Sequence, residues 1–187
     1  MKFGISIPAK YDEAVEIDII NGNTYSRDAT QKEMNNIEVA FKFLYNRSKL
    51  LTFFKKITCH LIFDLKFDLT RKSRYIGGVH LTQVPESMSY SSVVSRYSVR
   101  IMFLKGGFYY LDINMCDIWI AYINVETRER LRFTSGSKWW NWKGCQVIII
   151  RALYELKSSG SEWKKLFADY IWHTLLFEPC VGADDNV

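Results

Sequence analysis

Two runs of residues joined by a short polar turn constrain this chain more than any other feature. Leu61, Phe63, Leu65 and Phe67 alternate with Asp64, Lys66 and Asp68. Strand side chains point to opposite faces in turn, so the pattern is that of a strand with one buried face. Leu69-Thr70-Arg71 then reads as a turn, and Lys72 to Val79 as a returning strand that contains Gly77-Gly78. The pair forms a β-hairpin with Lys72 and Arg74 at its tip. By composition such a tip reads as a solvated basic turn. Chemically it also suits phosphate, because lysine and arginine donate charge-assisted hydrogen bonds to phosphate oxygens.

Other segments alternate between helical and extended patterns. Residues 25–36 predict a short helix with Ser26 as N-cap. Ile37, Val39, Phe41, Phe43 and Tyr45 follow with period two, which predicts a strand. Ser95 to Lys105 predicts a helix closed by Gly106-Gly107. Strands are expected over Leu111 to Ile118 and Cys145 to Arg151, with a hairpin-like region over Arg130 to Thr134. A final helix is expected from Ser161 to Phe177. There Trp163, Leu166, Phe167, Tyr170, Ile171 and Leu175 form an apolar stripe that reads as core packing. The fold class is therefore α+β, on a chain of 187 residues, about one domain in length.

Composition narrows the function classes. Hydrophobic residues at 48% and charged ones at 24% argue against wholesale disorder, and the 16% of aromatics suit a filled core. A net charge of +5 is a mild bias toward polyanions, short of a dedicated nucleic-acid binder. Cys59, Cys116, Cys145 and Cys180 lie far apart without a C-x-x-C pair, so neither zinc nor a disulfide framework is indicated. No secretory leader and no run of membrane-spanning length is visible, which leads to the expectation of a cytoplasmic or nuclear chain that is not secreted. His60, His80 and His173 share no metal-ligand spacing, and His60 and His80 are expected to make structural hydrogen bonds. Hydrolase and metalloenzyme chemistry find no support.

Asp117 follows the expected strand Leu111 to Cys116, where a carboxylate at the end of a buried strand either caps a turn or binds a divalent cation. Asp112 is five residues earlier and is expected on the opposite face. Two blocks stand out: Cys116-Asp117-Ile118-Trp119-Ile120-Ala121-Tyr122 and Leu153-Tyr154-Glu155-Leu156-Lys157-Ser158-Ser159-Gly160. With Thr58 to Asp64, Leu69 to Ile76, His80-Leu81-Thr82, Ser89 to Arg96 and Ser98-Val99-Arg100, they follow in order along the chain. Together they resemble the reverse transcriptase domain of Ty1/copia-type retrotransposon polyproteins, collinear from Gly4 to Val187.

That resemblance implies a right-hand polymerase architecture spanning residues 1–187. Fingers are expected over about residues 1–85 and 118–157, and a partial palm over about 86–117 and 158–187. It implies Asp117 as the catalytic, metal-binding aspartate for Mg2+. It implies Lys72, Arg74, Ala121, Tyr122 and Lys157 as nucleotide-binding residues, with Ala121-Tyr122 under the incoming sugar. The partners implied are dNTP, an RNA or DNA template–primer and the rest of a Pol polyprotein, with no membrane.

Departures from the family pattern imply loss of activity. Trp119 stands where glycine is usual, Ile120 where a small or polar residue is, Val79 in place of another glycine, and Tyr97 in place of aspartate. Glu155 replaces the glycine of the second block, placing a side chain and an anion where backbone would press on the nucleotide. The aromatic-x-Asp-Asp hairpin has no counterpart; Asp184-Asp185 lacks the flanking apolar strands and reads as solvated. The expectation is a truncated, inactive fragment without the third motif hairpin or thumb, its Asp117 strand left as an open edge. A non-enzymatic nucleic-acid-binding module, or a relic without function, is the alternative.

Overall fold

The computed structural model describes residues 1–44, 52–78, 94–115, 117–136 and 143–177. Within these the fold is mixed, with four α-helices, a four-stranded sheet and a separate two-stranded hairpin.

Helices α1 (Tyr11–Ile20) and α2 (Tyr25–Ile37) open the chain and are joined by a buried carboxylate. Asp18 of α1 is 1% exposed and accepts hydrogen bonds from the backbone N–H of Ser26 at 3.1 Å and of Arg27 at 3.0 Å. These N–H groups belong to the first turn of α2 and have no intrahelical partner, so a carboxylate there satisfies them and meets the positive end of the helix dipole. Burial pushes the Asp18 carboxyl up, but these bonds and the Arg27 charge outweigh it and hold it below its usual value. The sequence expectation of Ser26 as N-cap is therefore corrected. Thr24 is the N-cap, and Ser26 is a buried residue inside the helix.

The expected strand from Ile37 is also corrected at its start. Ile37 ends α2, Glu38–Ala40 form a single 3-10 turn, and strand β1 covers only Phe41–Leu44. Met34 and Ile37 are buried on one helical face that runs on into Phe41, so the helical period wins at this junction.

β2 (Lys55–Lys56), β5 (Leu131–Thr134) and β6 (Gln146–Ile149) join β1 in the order β1-β6-β5-β2. The β5/β6 and β1/β6 pairs are antiparallel, and β2 runs parallel to β5. From β2 the chain passes through buried Ile57 into the expected hairpin, β3 (Thr58–Leu65) and β4 (Arg71–Gly78), paired from Thr58↔Gly78 to Leu65↔Arg71. Leu61 and Leu65 are buried as alternation predicts. Phe67 lies beyond the strand, 90% exposed, with its ring edge-on to Phe3. Lys2 reaches Asp64 at 2.7 Å beside it, so the N-terminal residues clasp the hairpin tip.

Sheet and hairpin meet at three rings. Phe41, Phe133 and Tyr75 stand 5.2 to 6.1 Å apart, all buried, and join β1, β5 and β4 in one core. Gly77 lets the chain near Leu156 approach β4: an added Cβ would stand 3.1 Å from Leu156 Cδ2 and 3.4 Å from Ile57 Cδ1.

The second half departs further from expectation. Helix α3 is Arg96–Phe108, with Ser95 as N-cap accepting from the N–H of Ser98, and Gly106-Gly107 lie inside the helix rather than ending it. An added Cβ at Gly106 would come within 2.5 Å of Ile113 Cδ1, so the glycine admits the returning segment. The expected strand from Leu111 is not formed. Leu111 to Met115 carry no strand pairing and are exposed, Met115 by 97%. An extended segment becomes a strand only with a hydrogen-bonding partner, and none lies beside it among the described residues. A 3-10 turn follows at Ala121–Asn124. Helix α4 is Ser159–His173, and Glu129 accepts from the Ser158 N–H and hydroxyl at its start. Its stripe is not core: Leu166, Tyr170 and Leu175 are 43 to 53% exposed.

Replacing Asp18 with alanine is expected to destabilise the fold by about 2 kcal/mol in urea unfolding, the cost of a lost helix cap and two stranded buried N–H groups. Because its folded value is lowered, the contribution is full above the ordinary aspartate range near about pH 4. It is lost as pH falls through the lowered folded value, so the wild-type advantage over Asp18→Ala is expected to shrink on acidification.

Candidate functional site

An open groove of about 760 Å³ lies between α2, the tip of the β3–β4 hairpin, residues 117–120 and Tyr154. Period two in β4 builds its basic wall. Tyr75 turns into the core, so Arg74 and Lys72 cannot share that face. Antiparallel pairing of Ile62↔Arg74 and Asp64↔Lys72 holds both in place. Lys32, Lys66 and Arg71 add further cations to the lining.

Carboxylates of the groove are mostly engaged elsewhere. Glu33 accepts the Tyr75 N–H at 3.0 Å on the free edge of β4, Asp28 accepts from Thr24, and Asp68 accepts the Thr70 N–H. Burial pushes the Glu33 carboxyl up, against the Tyr75 N–H and the charges of Arg74 and Lys72. Arg71 donates to the Ser6 carbonyl.

Lys72 and Arg74 have no ion pair among the described residues. Burial and the adjacent Arg74 and Lys66 charges hold the Lys72 ammonium below its usual value, with Glu33 and Asp117 opposing. The Arg74 guanidinium lies 5.5 Å from the centre of the Tyr154 ring. Its Nε, and the hydroxyl of neighbouring Ser73, are buried without a hydrogen-bond partner. Ser73 shares the inward face of β4 with Tyr75, so of the two only Arg74 belongs to the groove face, where a buried donor left unpaired suits an acceptor ligand. Tyr154 in turn stacks edge-on with Tyr122 at 5.4 Å.

Asp117 lies at the mouth of the groove on exposed, non-strand backbone, close enough to act on the charges of Lys72 and Tyr154. It is corrected from the end of a buried strand to an exposed loop position. Asp112 lines a different groove, of about 410 Å³, between α3 and the segment that returns along it. No group of three His, Cys, Asp or Glu among the described residues converges on a metal position. The described residues do not fit a two-magnesium centre, since Asp117 brings one carboxylate where a cooperative set is needed.

No family model, curated protein or solved structure matches this chain.

Of the residues expected at a site, Lys72, Arg74 and Asp117 line one groove. Ala121, Tyr122 and Lys157 are half-buried and stand outside its lining, Tyr122 reaching it through Tyr154. His60 and His173 are exposed and make no hydrogen bond among the described residues. His80, Val79, Cys116, Cys180 and Asp184-Asp185 fall outside the described residues. Cys59 and Cys145 are free thiols, and burial pushes Cys59 up to about 12. Among the described residues no helix is long and apolar enough to cross a membrane. Sequence reasoning missed Glu33, which hides inside a helical pattern, and gave Tyr154 no role of its own. Lys66 was visible on the polar face of the alternating run.

Backbone strain surrounds the groove. Ile120 has φ +47° and Glu155 φ +68°, a left-handed region that favours glycine and penalises a β-branched residue most. Glu155 is exposed, so its side chain gives little in return. Glu155→Gly is expected to raise stability by about 1 kcal/mol, the relief of left-handed strain less the added freedom of the unfolded chain. An unchanged or lower urea midpoint would contradict a strained backbone at this position.

Proposed function

We propose that the chain is a diverged Ty1/copia-type reverse transcriptase region, fingers with part of a palm. It holds the phosphates of a nucleotide or a template–primer in the groove and does not itself polymerise. The observation that carries this reading is convergence. Lys72 with Arg74, Asp117 and Tyr154 come from three separate blocks of the resemblance and line a single groove. A second observation supports it: Glu155, standing where the family has glycine, adopts a conformation that favours glycine.

The chemistry follows from the unmet donors. A polyphosphate presents several anionic oxygens, and Lys72 and Arg74, which have no ion pair among the described residues, line the groove as charged donors. Tyr154 offers a ring 5.5 Å from the guanidinium, within reach of a cation–π attraction. Catalysis requires more than this. Among the described residues Asp117 has no second metal carboxylate with which to clamp both the attacking and the leaving oxygen, and the Glu155 carboxylate adds negative charge to the segment next to the phosphate site.

Fluorescence anisotropy with a labelled primer–template duplex tests the proposal. Affinity is expected to fall with salt, and the Lys72→Ala/Arg74→Ala double variant is expected to bind about tenfold more weakly, with the salt slope reduced by about 2. Equal affinity of wild type and double variant would remove the groove from any role in binding. In a primer-extension assay with magnesium and dNTP no product is expected. Templated extension that disappears in Asp117→Asn would overturn the non-polymerising part of the proposal.

A further inference from the structure

Helix α3 leaves a long apolar stripe uncovered. Tyr97, Ile101, Leu104 and Phe108 are each more than half exposed. Arg96, Arg100 and Lys105 share the helix, which contains no acidic residue. A contiguous apolar surface of this kind marks a place that another body covers. Helix α1 carries the opposite charge. Its exposed side presents Asp12, Glu16, Ile19 and Ile20, the two isoleucines 66% and 75% exposed, and the helix contains no basic residue.

The two stripes match turn by turn. Asp12, Glu16 and Ile20 are spaced four apart, as are Arg96, Arg100 and Leu104. Residues four apart share a helix face, about 6 Å apart along the axis. Laid parallel with Asp12 against Arg96, the helices set acid against base at two successive positions and Ile20 against Leu104 at the third. Both stripes are exposed in the folded chain, so neither covers the other within one molecule.

We infer that this chain associates with a second copy of itself, the acidic-apolar stripe of α1 docking in parallel on the basic-apolar stripe of α3 of the next copy. Burial of Ile19 and Ile20 against Leu104 and Phe108 drives the contact. Charge sets its register and rejects pairing of α1 with α1 or α3 with α3, where like charges would face each other. The two faces differ, so the contact is heterologous: each added copy leaves one face of either kind free, and assembly grows into a ring or a chain. None of these stripe residues lines the phosphate groove, so the inference stands apart from the proposed function.

Sedimentation equilibrium of the full chain across a wide concentration range is the test, with Glu16→Lys, Arg100→Glu and an equimolar mixture of the two. Both positions are exposed, and circular dichroism checks that each variant folds. Wild type is expected to self-associate beyond a dimer, more weakly at high salt. Each single variant faces like charge with like and is expected to associate about tenfold more weakly or worse. In the mixture lysine meets glutamate at one contact and glutamate meets arginine at the other, so association is expected to return. A wild type that stays monomeric overturns the inference, including one that instead binds anionic lipid vesicles through α3. Association that ignores both charge reversals, or a mixture no stickier than its components, overturns it equally.

Discussion

Tyr75 is held from two sides, and the position of everything that lines the groove depends on it. Its ring is buried against Phe41 and Phe133, and its backbone N–H donates to Glu33 of α2 on the free edge of β4. Aromatic pairs of this kind contribute about 1 kcal/mol each beyond the area they bury. Because side chains alternate along a strand, the inward Tyr75 commits Arg74 to the opposite face, and Lys72 with it. A register slip of one residue would turn both cations toward the core, at a cost no hairpin this short could meet. The same contact ties α2 to the hairpin, which sets the far wall of the groove at a fixed distance from the cations.

The parts of the fold that were legible in the sequence are those where local pattern and tertiary burial agree. The hairpin from Thr58 to Gly78 is one case, its alternation matched by Leu61 and Leu65 buried and Asp64 outside the core. α2, α3 and α4 were also legible, with the start of α2 and of α3 in place but the cap of α2 and the C-terminal ends of α3 and α4 not. Ser26 has the chemistry of an N-cap, but a buried carboxylate eight residues earlier took the role, and no local rule reports a partner from another helix. Gly106-Gly107 has the composition of a helix stop, but close approach of Ile113 keeps the glycines inside the helix. Leu111 to Met115 has strand composition and no strand to pair with among the described residues. Period alone cannot supply one.

The site was legible in pieces. Lys72, Arg74 and Asp117 stand out as residue types in suggestive surroundings, yet sequence spacing says nothing about whether a loop at 117 reaches Lys72 and Arg74, which sit in strand β4 rather than at the turn. Gly77 and the Tyr154 carbonyl, which accepts the Gly77 N–H at 3.4 Å, bring the second block against β4 and so place the Tyr154 ring under Arg74. Glu33 could not be singled out, because its importance comes from an open strand edge that only the assembled fold creates. The left-handed backbone at Ile120 and Glu155 was visible only as a mismatch with a family pattern; in the fold it is a physical strain.

The central claim is that Arg74 and Lys72, without an ion pair among the described residues, hold a phosphate ligand in the groove. Arginine Nε–H resonances in a proton–nitrogen NMR spectrum test it most directly, with inorganic triphosphate added to the full chain in the absence of metal. The Arg74 Nε–H signal, identified by its loss in Arg74→Lys, is expected to shift downfield and exchange more slowly as a phosphate oxygen accepts from it. The signals of Arg96 and Arg100 on α3 are expected to move little. A spectrum in which Arg74 stays in place while other arginines respond would contradict the account.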